Sequence, residues 1–258
     1  MMCADIRLGR WEDVLAGETC DALIVDAPYS AKTHSGHDGA AAAPTEKSAT
    51  WACANGRVVK KINRRSITYS AWSPDDVAAF VESWAPRTRG WIVSITDDVL
   101  APAWASAMEA AGRYVFAPLP LVETGSRVRL SGDGPSAWTC WVIVSRPKTR
   151  DFQRWGTLRG AYIAGSERKD VVGGKPLGLM RQIVEDYSRP GDVVCDPCCG
   201  AGTTLVAACL EGRRAIGAEM DPVHYEIARE RTAKMPVGTA TQPALFDAMD
   251  GLGEGVRL

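Results

Sequence analysis

Nine consecutive residues, Asp196-Pro197-Cys198-Cys199-Gly200-Ala201-Gly202-Thr203-Thr204, place a carboxylate, two glycines and two hydroxyls between an apolar run, Val193 to Cys195, and a helical-looking one, Leu205 to Leu210. A buried strand, a glycine turn and a helix start in that order present backbone N–H groups to a ligand. Gly200 and Gly202 let the turn close tightly around a bound molecule, and Asp196 at the strand's carboxyl end suits a cationic ligand better than a phosphate. A second strand, Ala215 to Ala218, ends in Glu219, where nucleotide-binding α/β units carry the acid that holds ribose hydroxyls. Together the two read as an adenosine-type site. A dinucleotide fingerprint would need glycine at the position of Leu205, and a P-loop would need lysine before the Thr pair, so both phosphate motifs are excluded. Cys195, Cys198 and Cys199 have no matching Cys or His pair elsewhere, and His34, His37 and His224 make no zinc spacing, so no metal site is expected.

A second chemical motif closes the run Ala22-Leu23-Ile24-Val25, an unbroken apolar stretch of the kind that a parallel sheet buries on both faces: Asp26-Ala27-Pro28-Tyr29. An acid at a strand end followed by a Pro-Tyr turn could hold a polar substrate. By itself it could equally be a capped turn beside a core tyrosine.

These two motifs need a sheet to carry them, and the rest of the chain supplies its parts. Asp5 to Gly9 reads as a short strand, followed by one helical turn from Trp11 to Leu15. Ser73-Pro74-Asp75-Asp76 has the chemistry of a helix start, predicting a helix to about Trp84, and Gly90 to Ile95 reads as a strand. Asp97 to Ala111 is helical, Tyr114 to Val122 and Trp138 to Val144 read as an antiparallel strand pair, and Lys175-Pro176-Leu177 opens a helix through Tyr187. A final helix spans about Pro222 to Lys234. Between Ser30 and Ser66 little periodicity is visible, although Arg57, Lys60, Lys61, Arg64 and Arg65 interleave with Val58, Val59 and Ile62 in a pattern that suggests a DNA-contacting hairpin. The segment 147–174 is irregular and, like the 30–66 loop, could select the target sequence, and 235–258 reads as a flexible tail.

At 258 residues with 46% hydrophobic content, one domain with a full core is expected. The net charge of −1, from 30 basic and 31 acidic residues, announces no nucleic-acid partner globally, so any basic surface must be local. Eight cysteines without a signal-like segment or a long apolar run predict a reduced cytoplasmic protein, neither membrane-bound nor built on disulfides.

The glycine stretch resembles the cofactor loop of S-adenosylmethionine-dependent DNA amino-methyltransferases, Asp-Pro-Phe-x-Gly-Ser-Gly-Thr-Thr, with Cys198 in place of Phe. Asp26-Ala27-Pro28-Tyr29 resembles the Asp-Pro-Pro-Tyr catalytic motif of the same family, with Ala27 in place of the first Pro. The catalytic-type motif precedes the cofactor loop, and the Lys-Pro-Leu helix lies just ahead of that loop, as in the beta-group of permuted enzymes. In that group the first strand ends in Gly-Asp; here Gly9 is followed by Arg10. The resemblance implies an α/β, doubly wound, mostly parallel seven-stranded sheet with one antiparallel strand, class I methyltransferase-like and circularly permuted in motif order. It implies S-adenosylmethionine as cofactor, held by Asp196, Pro197, Cys198, Gly200, Gly202, Thr203, Glu219 and Lys175, and DNA as partner.

The implied activity is adenine-N6 methylation within a restriction-modification setting. Asp26 and the Ala27 carbonyl would accept the two N–H bonds of a flipped adenine, and Tyr29 would stack on it. Asp26 favours adenine over cytosine N4, since the cytosine enzymes more often carry Ser there. An RNA or protein amino-methyltransferase and an inactive nucleic-acid-binding relative are the other readings. A homodimer is a further expectation. In the tail, Gln242-Pro243-Ala244-Leu245-Phe246 resembles the peptide by which bacterial DNA enzymes dock on the sliding clamp, with Gln242, Leu245 and Phe246 as anchors; alternatively Leu245 and Phe246 pin the tail to the enzyme itself.

Overall fold

The computed structural model of the chain describes residues 3–35, 50–52, 58–60, 69–124, 138–149, 155–165 and 174–235. In chain order its elements begin with β1 (Ala4–Leu8), α1 (Trp11–Val14), β2 (Ala22–Asp26), β3 (Thr50–Ala52), β4 (Val58–Lys60), α2 (Pro74–Trp84), β5 (Ile92–Thr96) and α3 (Ala101–Ala110). They continue with β6 (Tyr114–Val115), β7 (Leu119–Thr124), β8 (Thr139–Arg146), β9 (Tyr162–Gly165), α4 (Leu177–Tyr187), β10 (Val193–Asp196), α5 (Thr203–Leu210), β11 (Arg214–Glu219) and α6 (Pro222–Ala233).

One sheet runs β1-β11-β10-β2-β5-β8-β7-β9, with β6 paired to β8 beside this path. Every pair on the path is parallel except those that β8 makes, so β8 is the one antiparallel strand. Apolar residues alternate between the two faces of the central strands. Ala22, Ile24, Val93, Ile95 and Val194 pack under α4 and α5. Leu23, Val25, Ile92 and Cys195 pack under α2 and α3. Burial on both faces is why these strands read as unbroken apolar runs.

Several helix boundaries follow from local chemistry. Ser73 caps α2 through a reciprocal pair with Asp76, and Pro74 occupies the first turn where its missing N–H costs nothing. Asp221 caps α6 by accepting from the Val223 and His224 amides.

Four expectations are corrected. The sheet has nine strands rather than seven among the described residues. The additions come partly from the segment expected as one strand from Tyr114 to Val122, which divides into β6 and β7. Val115 faces Ser145 and Leu119 faces Val142, so one side has an extra residue, and Pro118 in the gap has no N–H to give the ladder. The other addition is β9, which lies in the stretch read as irregular and pairs with β7 across a long sequence gap. Finally, Cys3 and Cys209 form a disulfide with Cα atoms 5.8 Å apart, in place of eight reduced thiols, because edge strand β1 and the end of α5 meet in the same core cluster.

β3 and β4 form a separate antiparallel pair, Thr50 facing Lys60 and Ala52 facing Val58. Arg57, Lys61, Arg64 and Arg65, the side chain of Lys60, and the clamp-type residues Gln242, Leu245 and Phe246 lie outside the described residues. Among the described residues no helix is long and apolar enough to cross a membrane.

Candidate active site

Register brings the two motifs together. β10 lies between β11 and β2, all parallel, so Glu219, Asp196 and Asp26 stand at the carboxyl ends of three neighbouring strands. The carboxyl edge of an open α/β sheet is where such folds bind ligands. A cavity of about 380 Å³ opens there, lined by Asp26, Pro28, Lys175, Asp196, Pro197, Cys198, Gly200, Thr203 and Glu219. Ala27, Tyr29 and Gly202 are not among the residues that line it.

The glycine turn is held from several sides. Gly200 and Gly202 adopt φ values of 52° and 74°, and a Cβ on Gly202 would come within 2.9 Å of Ala228 Cβ. Only glycine lets the turn pass this close to α6. Arg231 of α6 donates to the Ala201 carbonyl at 2.6 Å and to Thr203 Oγ1 at 3.1 Å. Glu219 accepts from the Gly200 amide at 2.8 Å and from the Asp221 amide at 2.7 Å, which fixes its carboxylate while leaving lone pairs for further donors.

Asp196 is 1% exposed and accepts from the Cys198 amide at 3.1 Å. Burial pushes its carboxyl up to about 7; Thr204 and the Cys198 amide oppose the shift, while Asp26 and Glu219 add to it. Burial likewise raises the Cys198 and Cys199 thiols well above their ordinary range, so both stay neutral small residues in the turn. Among the described residues no group of His, Cys, Asp and Glu side chains could hold a metal ion.

At the catalytic-type motif, Lys175 Nζ donates to both Asp26 oxygens, at 2.7 Å and 3.0 Å, and lies 5.1 Å from the centre of the Tyr29 ring. The Tyr29 hydroxyl donates to Asp26 Oδ1 at 3.1 Å and sits 3.4 Å from Cys140 Sγ. Burial and the nearby Asp26 raise the phenol well above its usual value, so it remains a donor. Burial opposes the Lys175 charge, yet Asp26, together with Cys140 and Glu123, outweighs it and holds the ammonium above its ordinary value.

Three features of the site are not signalled in the sequence. An aromatic wall joins the cavity at Trp11, Trp72 and Phe80, with Trp11 and Phe80 edge to face at 5.2 Å. Glu12 also lines the cavity, two residues after the position where the resemblance would have an acid and this chain has Arg10. The third is Asp97, which the sequence offers only as a helix start. Its carboxylate accepts from the Ser30 amide and hydroxyl, at 3.0 and 2.6 Å, from Thr33 Oγ1 at 2.6 Å, and from the Leu100 amide at 3.0 Å. It thereby fastens the residue after Tyr29 to the end of β5. No sequence signal short of the fold itself links Ser30 with Asp97.

Burial tends to raise the Asp97 carboxyl, but the Ser30 and Thr33 donors outweigh it and hold the pKa below its ordinary value. A depressed acid stabilises the fold above its unfolded pKa and loses that contribution as pH falls through the folded one. Asp97→Asn is therefore expected to cost roughly 2 kcal/mol at pH 7. Urea unfolding should show the gap between variant and parent narrowing as pH falls below about 4, and a gap that does not narrow with falling pH would refute this account of Asp97.

Residues 133–230 match the DNA methylase family N6_N4_Mtase. The type II methyltransferase M2.DpnII of Streptococcus pneumoniae is 40% identical over 107 residues, 35% of this chain and 40% of that protein. The Escherichia coli (strain K12) methylase candidate YubD is 36% identical over 59 residues, 23% of this chain and 26% of its own. The chain thus spans less than half the length of these curated relatives. Among solved structures, the M1.HpyAVI–SAM complex superposes with a TM-score of 0.60 at 18% identity, covering 88% of this chain and 98% of that one. The cytosine-N4-specific PvuII DNA methyltransferase gives 0.55 at 12% identity, covering 88% and 86%. At these identities the likeness shows the fold, which is that of the class I methyltransferases.

Proposed function

We propose that this chain, whose residues 133–230 belong to the DNA methylase family, transfers a methyl group from S-adenosylmethionine to an exocyclic amine of a base in DNA. The observation that carries this reading is the convergence of Asp26, Asp196 and Glu219 on one cavity roofed by the glycine turn. The donor set fits the cofactor. A buried acid beside the Gly200 turn suits an ammonium, Glu219 suits ribose hydroxyls, and the aromatic wall of Trp11, Trp72 and Phe80 suits a purine. Bound there, S-adenosylmethionine supplies a methyl group on a cationic sulfur that departs as a neutral thioether.

The chain's own residues do the remainder. An exocyclic amine is a poor nucleophile because its lone pair is delocalised into the ring. The Asp26 carboxylate and the Ala27 carbonyl accept its two N–H bonds, draw the lone pair out of conjugation and stabilise the positive charge that grows on nitrogen. The amine proton passes to Asp26 or to water once the new bond is made. Adenine N6 is the proposed target because the motif begins with Asp26; cytosine N4 is the alternative.

The basic residues Arg57, Lys60, Lys61, Arg64 and Arg65, which in sequence fall within or near β4, are proposed to meet DNA phosphates. Clamp docking through Gln242, Leu245 and Phe246 rests on the peptide's letters alone. The test of the function is to incubate the protein with methyl-labelled S-adenosylmethionine and unmethylated DNA or RNA, then digest to nucleosides. Label in N6-methyladenine from DNA is the expected result. Label in N4-methylcytosine selects the alternative base, label only from RNA overturns the substrate, and no label overturns the activity.

A further inference from the structure

Asp26 already has an amine on it. Lys175 gives the carboxylate two close N–H contacts, the same kind of contact that a target amine would need, and Tyr29 takes a further lone pair. The lysine side chain is 7% exposed against 23% for the aspartate, so this is an enclosed pair at the cavity wall. A fixed ammonium there opposes catalysis twice. With Tyr29 it occupies three of the carboxylate's roughly four acceptor sites and crowds the one that the base requires, and it sets a positive charge beside a nitrogen that must itself become positive. A productive complex is favoured when Lys175 releases Asp26 while remaining charged, and an enclosed ammonium that leaves a carboxylate is stabilised by a second anion within its reach.

The same cavity holds the candidate cofactor turn, and Lys175 stands within it alongside Gly200 and Asp196. In the function proposed above, the ligand of that turn has an amino-acid end bearing both an ammonium and a carboxylate. Asp196 suits the first. We propose that Lys175 is a positioning residue that exchanges partners, leaving Asp26 for the carboxylate of the bound cofactor, so that cofactor binding exposes Asp26 to the target amine. Lysine fits this task better than arginine. Its ammonium is a compact point charge on a flexible stem, able to change partners within one cavity without matching a planar fork. The consequence is an order of binding: the base finds its acceptor only when the methyl donor is in place.

This inference rests on the cofactor reading, and its test separates the two. Calorimetry would compare two ligands, S-adenosylhomocysteine, which has the carboxylate, and 5′-methylthioadenosine, which lacks the amino-acid end. In the parent protein Asp26 competes with the ligand for Lys175. In Asp26→Asn that competition is gone, so S-adenosylhomocysteine should bind about five- to tenfold more tightly while methylthioadenosine is unchanged. Lys175→Gln placed on Asp26→Asn should erase the gain, and Lys175→Arg on the same background should restore part of it. Asp26→Asn is isosteric, and melting curves check that each variant is folded. A purely structural Asp26–Lys175 pair predicts equal changes for both ligands, or none, and either result overturns the exchange. Binding of neither ligand by the parent protein overturns the cofactor reading as well.

Discussion

Asp26→Ala is expected to lower the methyl-transfer rate by at least roughly 10²–10³-fold, the usual consequence of removing one preorganised electrostatic group from a transition state. The cofactor should still bind, because the glycine turn, Asp196 and Glu219 are carried by β10, β11 and α5 rather than by the Asp26 turn. The single variant carries a confounding cost. It strands the Lys175 ammonium without its carboxylate in an enclosed site, and breaking a buried pair from one side destabilises by about 3 kcal/mol or more. Asp26→Ala combined with Lys175→Met removes both charges and should recover most of that stability in urea unfolding. Methyl transfer should stay lost in the double variant. Turnover within tenfold of the parent in either folded protein would remove Asp26 from the chemistry.

That cost also shows which parts of the site can be read from the chain and which cannot. Asp26 and Asp196 are legible because each ends a run that is apolar on every residue, and such runs mark strands buried on both faces. The start of α2 is legible because Ser73, Pro74 and Asp76 state it within four residues. Lys175 stands out only through resemblance, which assigns it to the cofactor. Its partner lies 149 positions away, and nothing local in either segment encodes the pairing. The same holds for Ser30 with Asp97, for β9 with β7, and for Cys3 with Cys209, which are 206 positions apart. Each is a consequence of strand order, and strand order comes from which hydrophobic faces cover one another over the whole sheet. Side-chain period reports burial well and partner identity poorly. The break between β6 and β7 is a different failure: Pro118 is a visible signal, and a continuous apolar reading overrides it.

Asp196 should make ligand affinity and stability move in opposite directions with pH. Its carboxyl titrates at about 7 in the folded protein because burial penalises the charge. The unfolded chain releases that proton near pH 4. Between those values the native state holds a proton that the unfolded state has lost, so stability falls as pH rises from about 4 to about 7 and is level above that. The loss has an upper bound of roughly 4 kcal/mol, since each pH unit between the two values contributes about 1.36 kcal/mol. A cationic ligand reverses the preference, because it pairs only with the ionised acid. Its affinity should rise by up to about tenfold per pH unit below 7 and flatten above, with about one proton released on binding at pH 6 and none from this group at pH 8.5. Calorimetry of S-adenosylhomocysteine in buffers of different ionisation enthalpy measures that release. Asp196→Asn keeps an oxygen to accept from the Cys198 amide but cannot ionise. Subtracting its profile from the parent's therefore isolates the carboxylate from the ligand's own amine. At pH 8 the variant should unfold at higher urea than the parent while binding the ligand roughly 10–100-fold more weakly, a gain in stability set against function at one buried charge. Proton release that is identical in the two proteins, or undiminished affinity in the variant, would take the ammonium away from Asp196 and leave it to backbone carbonyls of the turn.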